Sequence, residues 1–176
     1  DVFKGDDNQH STLDCDGSSR TNRGSRGVNG MNTSGIILGP DSPMHGVLEL
    51  ARRVARTDCN VLVTGESGTG KESIPKIIHQ NSKRKHNNYV AVNCGAIPEG
   101  TIDSELFGHE KGAFTGAQKE RSGYLVTANN GVLFLDGIGE LGLEEQAMLL
   151  HAIENKTFHP VGSDKAVSSN FQLIAG

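Results

Sequence analysis

The sequence predicts a three-layer α/β fold built on a parallel sheet, on the strength of three observations. Four short runs rich in β-branched and aliphatic residues, at 60–64, 89–93, 132–136 and 171–175, read as strands buried on both faces. The segments between them carry apolar residues at helical spacing, as helical crossovers between parallel strands do. The first run leads directly into Gly65-Glu66-Ser67-Gly68-Thr69-Gly70-Lys71, which has GxxxxGK spacing, and a helical pattern resumes at Ile74, Ile77 and Ile78. Strand, glycine loop and helix in that order form a P-loop, a cradle for phosphate. A chain of 176 residues can bury one good core, so one main domain is expected.

Residues 1–34 differ in kind from the rest. Gly, Ser, Asn, Asp and Arg dominate, and apolar residues occur singly with no sustained period. Such a stretch buries too little to offset its ordering entropy and reads as a flexible leader or linker. Residues 35–176 carry the folded character. Ser42 suits an N-cap and Pro43 a first helical position, followed by Val47, Leu50, Ala51 and Val54 on one face of a helix ending near Arg56. In the glycine loop the backbone N–H groups can turn inward around a phosphate while Lys71 adds a point charge. The start of the next helix adds a partial positive charge. The basic run Lys83-Arg84-Lys85-His86 has no interleaved aromatics, which favours a solvated loop over a nucleic-acid contact.

After the second strand, Ile97-Pro98-Glu99 opens a short helix carrying Ile102 and Leu106. The stretch from Phe107 to Ala117 alternates glycine with small residues around one aromatic, Phe114. Composition leaves two readings open: a loop presenting Phe114, or a loop with Phe114 tucked back onto the domain. A helical segment at 124–128 and a turn at Asn129-Asn130-Gly131 precede the third strand, which ends in Asp136. Ligands of such sheets gather beyond the carboxyl ends of the strands. Asp136 is therefore the natural partner of Mg2+ beside the phosphates, a turn-capping role being the plainer alternative. Leu143, Ala147, Leu150 and Ile153 mark one face of a further helix before the fourth strand.

Composition narrows the function classes. A net charge of −4 gives no global basic field for nonspecific nucleic-acid binding. The absence of an 18-residue apolar run or signal-peptide pattern argues against membrane insertion and secretion. Cys15, Cys59 and Cys94 are widely spaced, without CxxC, and read as reduced thiols of a cytoplasmic protein. The seven histidines form no metal-ligand spacing.

On these motifs the chain resembles the sigma-54 interaction domain, the AAA+ ATPase module of bacterial enhancer-binding transcription activators of the NtrC type. GESGTGKE at 65–72 and ELFGHEKGAFTGA at 105–117 stand in full, and the resemblance runs from about residue 36 to 176. The GAFTGA loop belongs to this family rather than to P-loop ATPases at large. The C-terminal part is similar to the RtcR-type regulators of RNA-repair operons. The resemblance implies that 35–176 is the N-terminal part of an AAA+ domain, truncated after the fourth strand. It implies homo-oligomeric rings with ATP between neighbours and a GAFTGA loop raised and lowered by nucleotide state. Hydrolysis would then remodel the closed complex of sigma-54 RNA polymerase. DNA contact is implied only through a helix-turn-helix beyond residue 176.

Residue by residue, the resemblance places Gly65, Glu66, Ser67, Gly68, Thr69, Gly70, Lys71 and Glu72 around the phosphates. It makes Ala128, Asn129, Asn130, Gly131, Val132, Leu133, Phe134, Leu135, Asp136 and Gly137 a second nucleotide segment. Lys71 and Asp136 become the catalytic residues, with Asp136 on Mg2+ held through ATP. Gly112, Ala113, Phe114, Thr115, Gly116 and Ala117 become the sigma-54 contact, and Ile37 to Gly39 lie near the adenine.

Two positions depart from the family pattern. The third strand ends Asp136-Gly137 where the family reads Asp-Glu. The missing glutamate is the group that activates the attacking water, and Glu140, three residues on, is expected to sit too far beyond the strand to replace it. Pro75 stands inside the P-loop helix, where an interior proline costs roughly 3 kcal/mol and its replacement by alanine is expected to raise the melting temperature. Without position 137 the chain is expected to bind ATP with Mg2+ and turn it over slowly, since general-base groups typically contribute about 10²–10⁴-fold. A non-hydrolysing nucleotide-binding interaction module is the alternative. On this reading Gly137→Glu raises the steady-state ATPase rate, and equal rates in the two proteins would refute it.

Overall fold

The computed structural model describes residues 3–4, 41–66, 68–98 and 100–176. Its elements in chain order are β1 (Phe3–Lys4), α1 (Met44–Ala55), β2 (Val61–Leu62), α2 (Ser73–Gln80), β3 (Tyr89–Asn93), α3 (Ile102–Phe107), β4 (Gly108–His109), β5 (Arg121–Ser122), α4 (Tyr124–Thr127), β6 (Val132–Asp136), α5 (Leu143–Asn155), β7 (Thr157–Phe158), β8 (Val167–Ser168) and β9 (Gln172–Ala175). Single 3-10 turns follow β3 at Cys94–Ala96 and β6 at Ile138–Glu140. The main sheet runs β1-β3-β6-β9-β2, and β3, β6, β9 and β2 are mutually parallel. These are the four strands expected from the sequence. β1 adds an antiparallel edge, with Phe3 opposite Ala91. The rest of the proposed leader, Cys15 and the Ile37–Gly39 region lie outside the described residues.

β6 shows why the layers form as they do. Its side chains alternate between faces, and both faces are covered. Val132 and Phe134 join Ile174 and the inward residues of α1 and α2 on one side. Leu133 and Leu135 join Val90, Val92, Leu106, Phe107, Leu125 and Leu149 on the other. The strand can therefore be apolar at every position until Asp136 reaches the sheet edge.

Two helix faces differ from the sequence expectation. In α1 the buried residues are Leu48, Ala51 and Ala55, while Val47 and Leu50 are exposed. In α5 Leu149 and Ala152 are buried, while Leu143 is 85 % exposed and Leu150 also faces outward. Each helix carries apolar residues on two stripes, and contact with the sheet selects one. Pro43 rather than Ser42 is the capping residue of α1, and the Ser42 hydroxyl accepts a hydrogen bond from the Met44 amide at 3.3 Å.

Arg84 leaves its basic run and turns inward. Its guanidinium donates to Asn170 O at 2.6 Å, Gly131 O at 3.3 Å and Asp58 Oδ1 at 3.1 Å. It thereby ties the amino ends of β6 and β9 to the loop before β2. Lys83, Lys85 and His86 remain exposed, as a solvated loop requires.

Pro75 corrects the expectation of a strained helix. It is the third residue of α2, within the first turn, where backbone amides lack an intrahelical acceptor in any case. The Lys71 carbonyl, which an amide at 75 would reach, accepts instead from Ile74 N at 3.2 Å. The ring itself is fully buried. Pro75→Ala thus removes about two buried methylenes, worth ~1.5 kcal/mol, and relieves little. We expect a melting temperature lower by about 3–5 °C in thermal denaturation, the opposite of the sequence expectation.

Candidate nucleotide site and partner loop

The cradle lies between β2 and α2. Gly68 and Gly70 have φ of 81° and 79°, so the loop needs glycine for its turns. The Thr69 hydroxyl donates to Glu66 O at 2.7 Å and closes the loop on itself. Lys71 is half-buried and points its Nζ back toward Gly65 O at 3.5 Å, which keeps the charge over the loop. Gly65, Glu66, Gly68, Thr69, Gly70 and Glu72 are all exposed, leaving the concave side open to a ligand. Ser67 lies outside the described residues.

Asp136 ends β6 at the carboxyl edge of the sheet, directly opposite Asn93 at the end of β3. Cys94, next in the chain, is buried in the core. The Cys94 thiol is pushed up to about 11, chiefly by burial, then by the charge of Asp136, with Glu140 adding to it. Both carboxylates are therefore within electrostatic reach of one sulfur.

The second nucleotide segment divides in two. Ala128, Val132, Leu133, Phe134 and Leu135 are core residues. Asn129, Asn130 and Gly131 sit at the amino end of β6, the nearest of them five residues and about 17 Å at strand rise from Asp136. There Asn129 Oδ1 accepts from Asn170 N at 2.9 Å, and Asn130 O accepts from Asn87 Nδ2 at 2.7 Å. Only Asp136 and Gly137 of this segment reach the carboxyl edge of the sheet; the others build the strand that leads to them.

The Gly112–Ala117 stretch caps a hairpin formed by β4 and β5. Gly112 N donates to Ala117 O at 2.8 Å, and Ala117 N donates to Phe114 O at 3.0 Å, giving a tight tip with Thr115 and Gly116 exposed. Phe114 combines features of both readings left open by the sequence. It is 45 % exposed, yet its ring meets His109 edge-on at 5.0 Å between centroids. His109 is buried, and its Nδ1 shares a 2.5 Å hydrogen bond with Ser104 Oγ. A second hairpin, β7–β8, braces the loop base: Val161 N donates to Gly108 O at 2.9 Å, Glu110 N to Val161 O at 3.1 Å, and Ser163 Oγ to Glu110 Oε1 at 2.5 Å. Its two-residue strands are too short to show a period, so no pattern of residues pointed to it.

These features can be set beside known proteins. Residues 37–176 match the family described as the sigma-54 interaction domain. The chain belongs to that family. Among its relatives is the Nif-specific regulatory protein of Azotobacter vinelandii, 47 % identical over 140 residues, covering 80 % of this chain and 27 % of that protein. Regulatory protein AtoC of Escherichia coli is 44 % identical over 141 residues, covering 80 % of this chain and 31 % of that protein. The chain thus spans less than a third of the length of these relatives. NtrX from Brucella abortus in complex with ADP superposes with a TM-score of 0.72 at 30 % identity, covering 80 % of this chain and 30 % of that one. Its complex with ATP gives a TM-score of 0.70.

Gly137, where the resemblance leads one to expect a glutamate, opens the turn that follows β6. Its φ of 72° and ψ of 43° place it in the left-handed region, where other residues cost roughly 1–2 kcal/mol. Gly137 N and Ile138 N both donate to Gly176 O, at 2.9 and 3.2 Å, and hold this turn. A glutamate at 137 therefore has to reshape the turn before it can act, and part of the gain expected from Gly137→Glu is spent there. Among the described residues, no helix is long and apolar enough to cross a membrane.

The contact beneath Phe114 has a measurable consequence. His109→Ala removes both the ring under Phe114 and the Ser104 partner, with a cost of about 1–3 kcal/mol for the stranded hydroxyl. We expect faster amide hydrogen exchange in residues 108–118 by mass spectrometry, with ATP affinity unchanged.

Proposed function

We propose that this chain is the ATP-binding module of a sigma-54-dependent transcription activator, coupling ATP binding and hydrolysis to remodelling of the sigma-54 RNA polymerase closed complex. The observation that carries the reading is the pairing of two separate devices in one fold. An open glycine cradle with Lys71 leads into α2 from one parallel strand, and Asp136 closes another at the carboxyl end of the same sheet. The GAFTGA hairpin stands apart, exposed at its tip.

In this reading the backbone N–H groups of residues 65–71 and Lys71 hold the phosphates, and Asp136 holds Mg2+ through ATP. The open cradle and the carboxylate at the strand end fit that pair. Bound Mg2+ neutralises charge on the transferring phosphoryl group. Glu72, Thr69 and Glu66 shape the loop, while Phe114 and Thr115 supply the contact with sigma-54. A homo-oligomeric ring, DNA contact through a separate domain and a cytoplasmic location complete the proposal. The ADP and ATP complexes of NtrX support nucleotide binding by analogy. A second reading, a nucleotide-gated interaction module that does not hydrolyse, is favoured by one observation: position 137 carries no side chain and sits in a turn suited to glycine.

Calorimetric titration tests the site. Lys71→Ala removes a charge-assisted hydrogen bond worth about 1.5–3 kcal/mol, so ATP affinity should fall by about 10- to 150-fold with little change in melting temperature. Unchanged affinity would sink the proposal. Steady-state release of phosphate then separates the two readings.

A further inference from the structure

The turn after β6 changes the standing of Glu140. Because Gly137 is left-handed, the chain folds back instead of running on from the strand, and a single 3-10 turn follows, with Glu140 N donating to Gly137 O at 2.9 Å. Glu140 is thereby returned to the strand end. Its Cγ lies 3.5 Å from the point where a Cβ on Gly137 would stand. The same Cγ lies 3.8 Å from the Cβ position of Gly95, and Asn93 Oδ1 lies 3.5 Å from that position. Glu140 and Asn93 thus flank Gly95, with Asp136 paired opposite Asn93 across the sheet edge.

The other acidic groups nearby are committed elsewhere. Glu66 and Glu72 belong to the cradle, Asp136 is assigned to the metal, and the Glu145 carboxylate folds against Gly142 at the start of α5. Glu140 is exposed and lines an open cleft of about 640 Å3 with Cys94, Gly95 and Ile97. A carboxylate at the mouth of an open cleft, on the turn that follows Asp136, has room for a water beside it.

We propose that Glu140 takes the place of the carboxylate missing at 137 and serves as the general base of ATP hydrolysis; this rests on the ATP-binding reading above. Glu140 accepts a proton from a water whose oxygen forms a bond to the γ-phosphorus. The bond from that phosphorus to the β–γ bridging oxygen breaks, and its electron pair leaves with ADP. The products are ADP and inorganic phosphate, with the proton on Glu140 passed to solvent. The sequence expectation that Glu140 sits too far beyond the strand assumed a chain that continues outward; the left-handed glycine reverses it.

The test compares the full chain with Glu140→Gln and Glu140→Asp by three measurements: ATP affinity, single-turnover hydrolysis against pH, and affinity for ADP with aluminium fluoride, which mimics the phosphoryl group in transfer. We expect Glu140→Gln to bind ATP within about twofold of the parent, to hydrolyse it at least about tenfold more slowly, and to lose the rise of rate with pH that ionisation of a carboxylate gives. It should also bind the aluminium fluoride complex more weakly, while Glu140→Asp keeps part of each property. A parent that binds ATP without measurable hydrolysis overturns the proposal and leaves the non-hydrolysing reading. So does a Glu140→Gln protein with unchanged rate, pH profile and aluminium fluoride affinity. Loss of ATP binding in the parent overturns the binding reading itself. Thermal melts of both variants distinguish an unfolded protein from an inactive one.

Discussion

The pairing of β3 with β6 is the constraint on which the rest depends. Five consecutive residues lie in parallel register, from Tyr89 opposite Val132 to Asn93 opposite Asp136. A strand buried on both faces tolerates no charge along its length, because an unpaired buried carboxylate is too costly to ionise. Charge can appear only where the strand runs out of cover. The register brings two strands to that point together, so the polar ends of both fall at one edge. The glycine cradle reaches the same sheet through β2, which pairs with β9. Chemistry at this edge is thus a by-product of how an apolar sheet has to end.

The GAFTGA hairpin obeys a different rule. It is held at its base by backbone hydrogen bonds to Gly108 and Glu110 from the β7–β8 hairpin, not by a core of its own. Such bonds fix where the legs stand and leave Thr115 and Gly116 exposed at the tip. A side-chain brace near the tip is the Phe114 ring against His109, itself anchored by Ser104. An aromatic pair of this kind is worth about 0.5–1.5 kcal/mol. That is enough to bias Phe114 toward the domain and small enough for a partner to displace.

The parts of the fold that were legible in the sequence have a dense local signal. β3 and β6 were readable to the residue, because four apolar or small residues closed by a polar one leave little choice of limits. The cradle was readable from glycine spacing, and the GAFTGA loop from its resemblance. The rest depended on tertiary context. Val47 and Leu50, like Leu143 and Leu150, have the composition of a buried face, and only the sheet decides which apolar stripe it covers. β1 and the β7–β8 hairpin are made of two-residue strands, too short to show alternation. Arg84 reads as one more charge in a basic run, and its acceptors are carbonyls distant in sequence. Glu140 depended on a single dihedral: with Gly137 extended it would face away, and with Gly137 left-handed it returns. Pro75 was misjudged because its cost turns on whether α2 begins two residues before it or more.

The alternation of side chains along β6 also divides the interior into two half-cores that share no buried side chain among the described residues. Val132 and Phe134 belong with α1 and α2, and hence with the cradle. Leu133, Leu135 and the residues around Leu106 and Phe107 belong with the helix that leads into the β4–β5 hairpin. The sheet lies between them like a diaphragm. A displacement on the cradle side reaches the hairpin side by tilting or sliding strands as bodies, because among the described residues no buried side chain belongs to both compartments. Any motion passed from one half-core to the other is therefore carried by backbone, and repacking either half-core leaves that route in place.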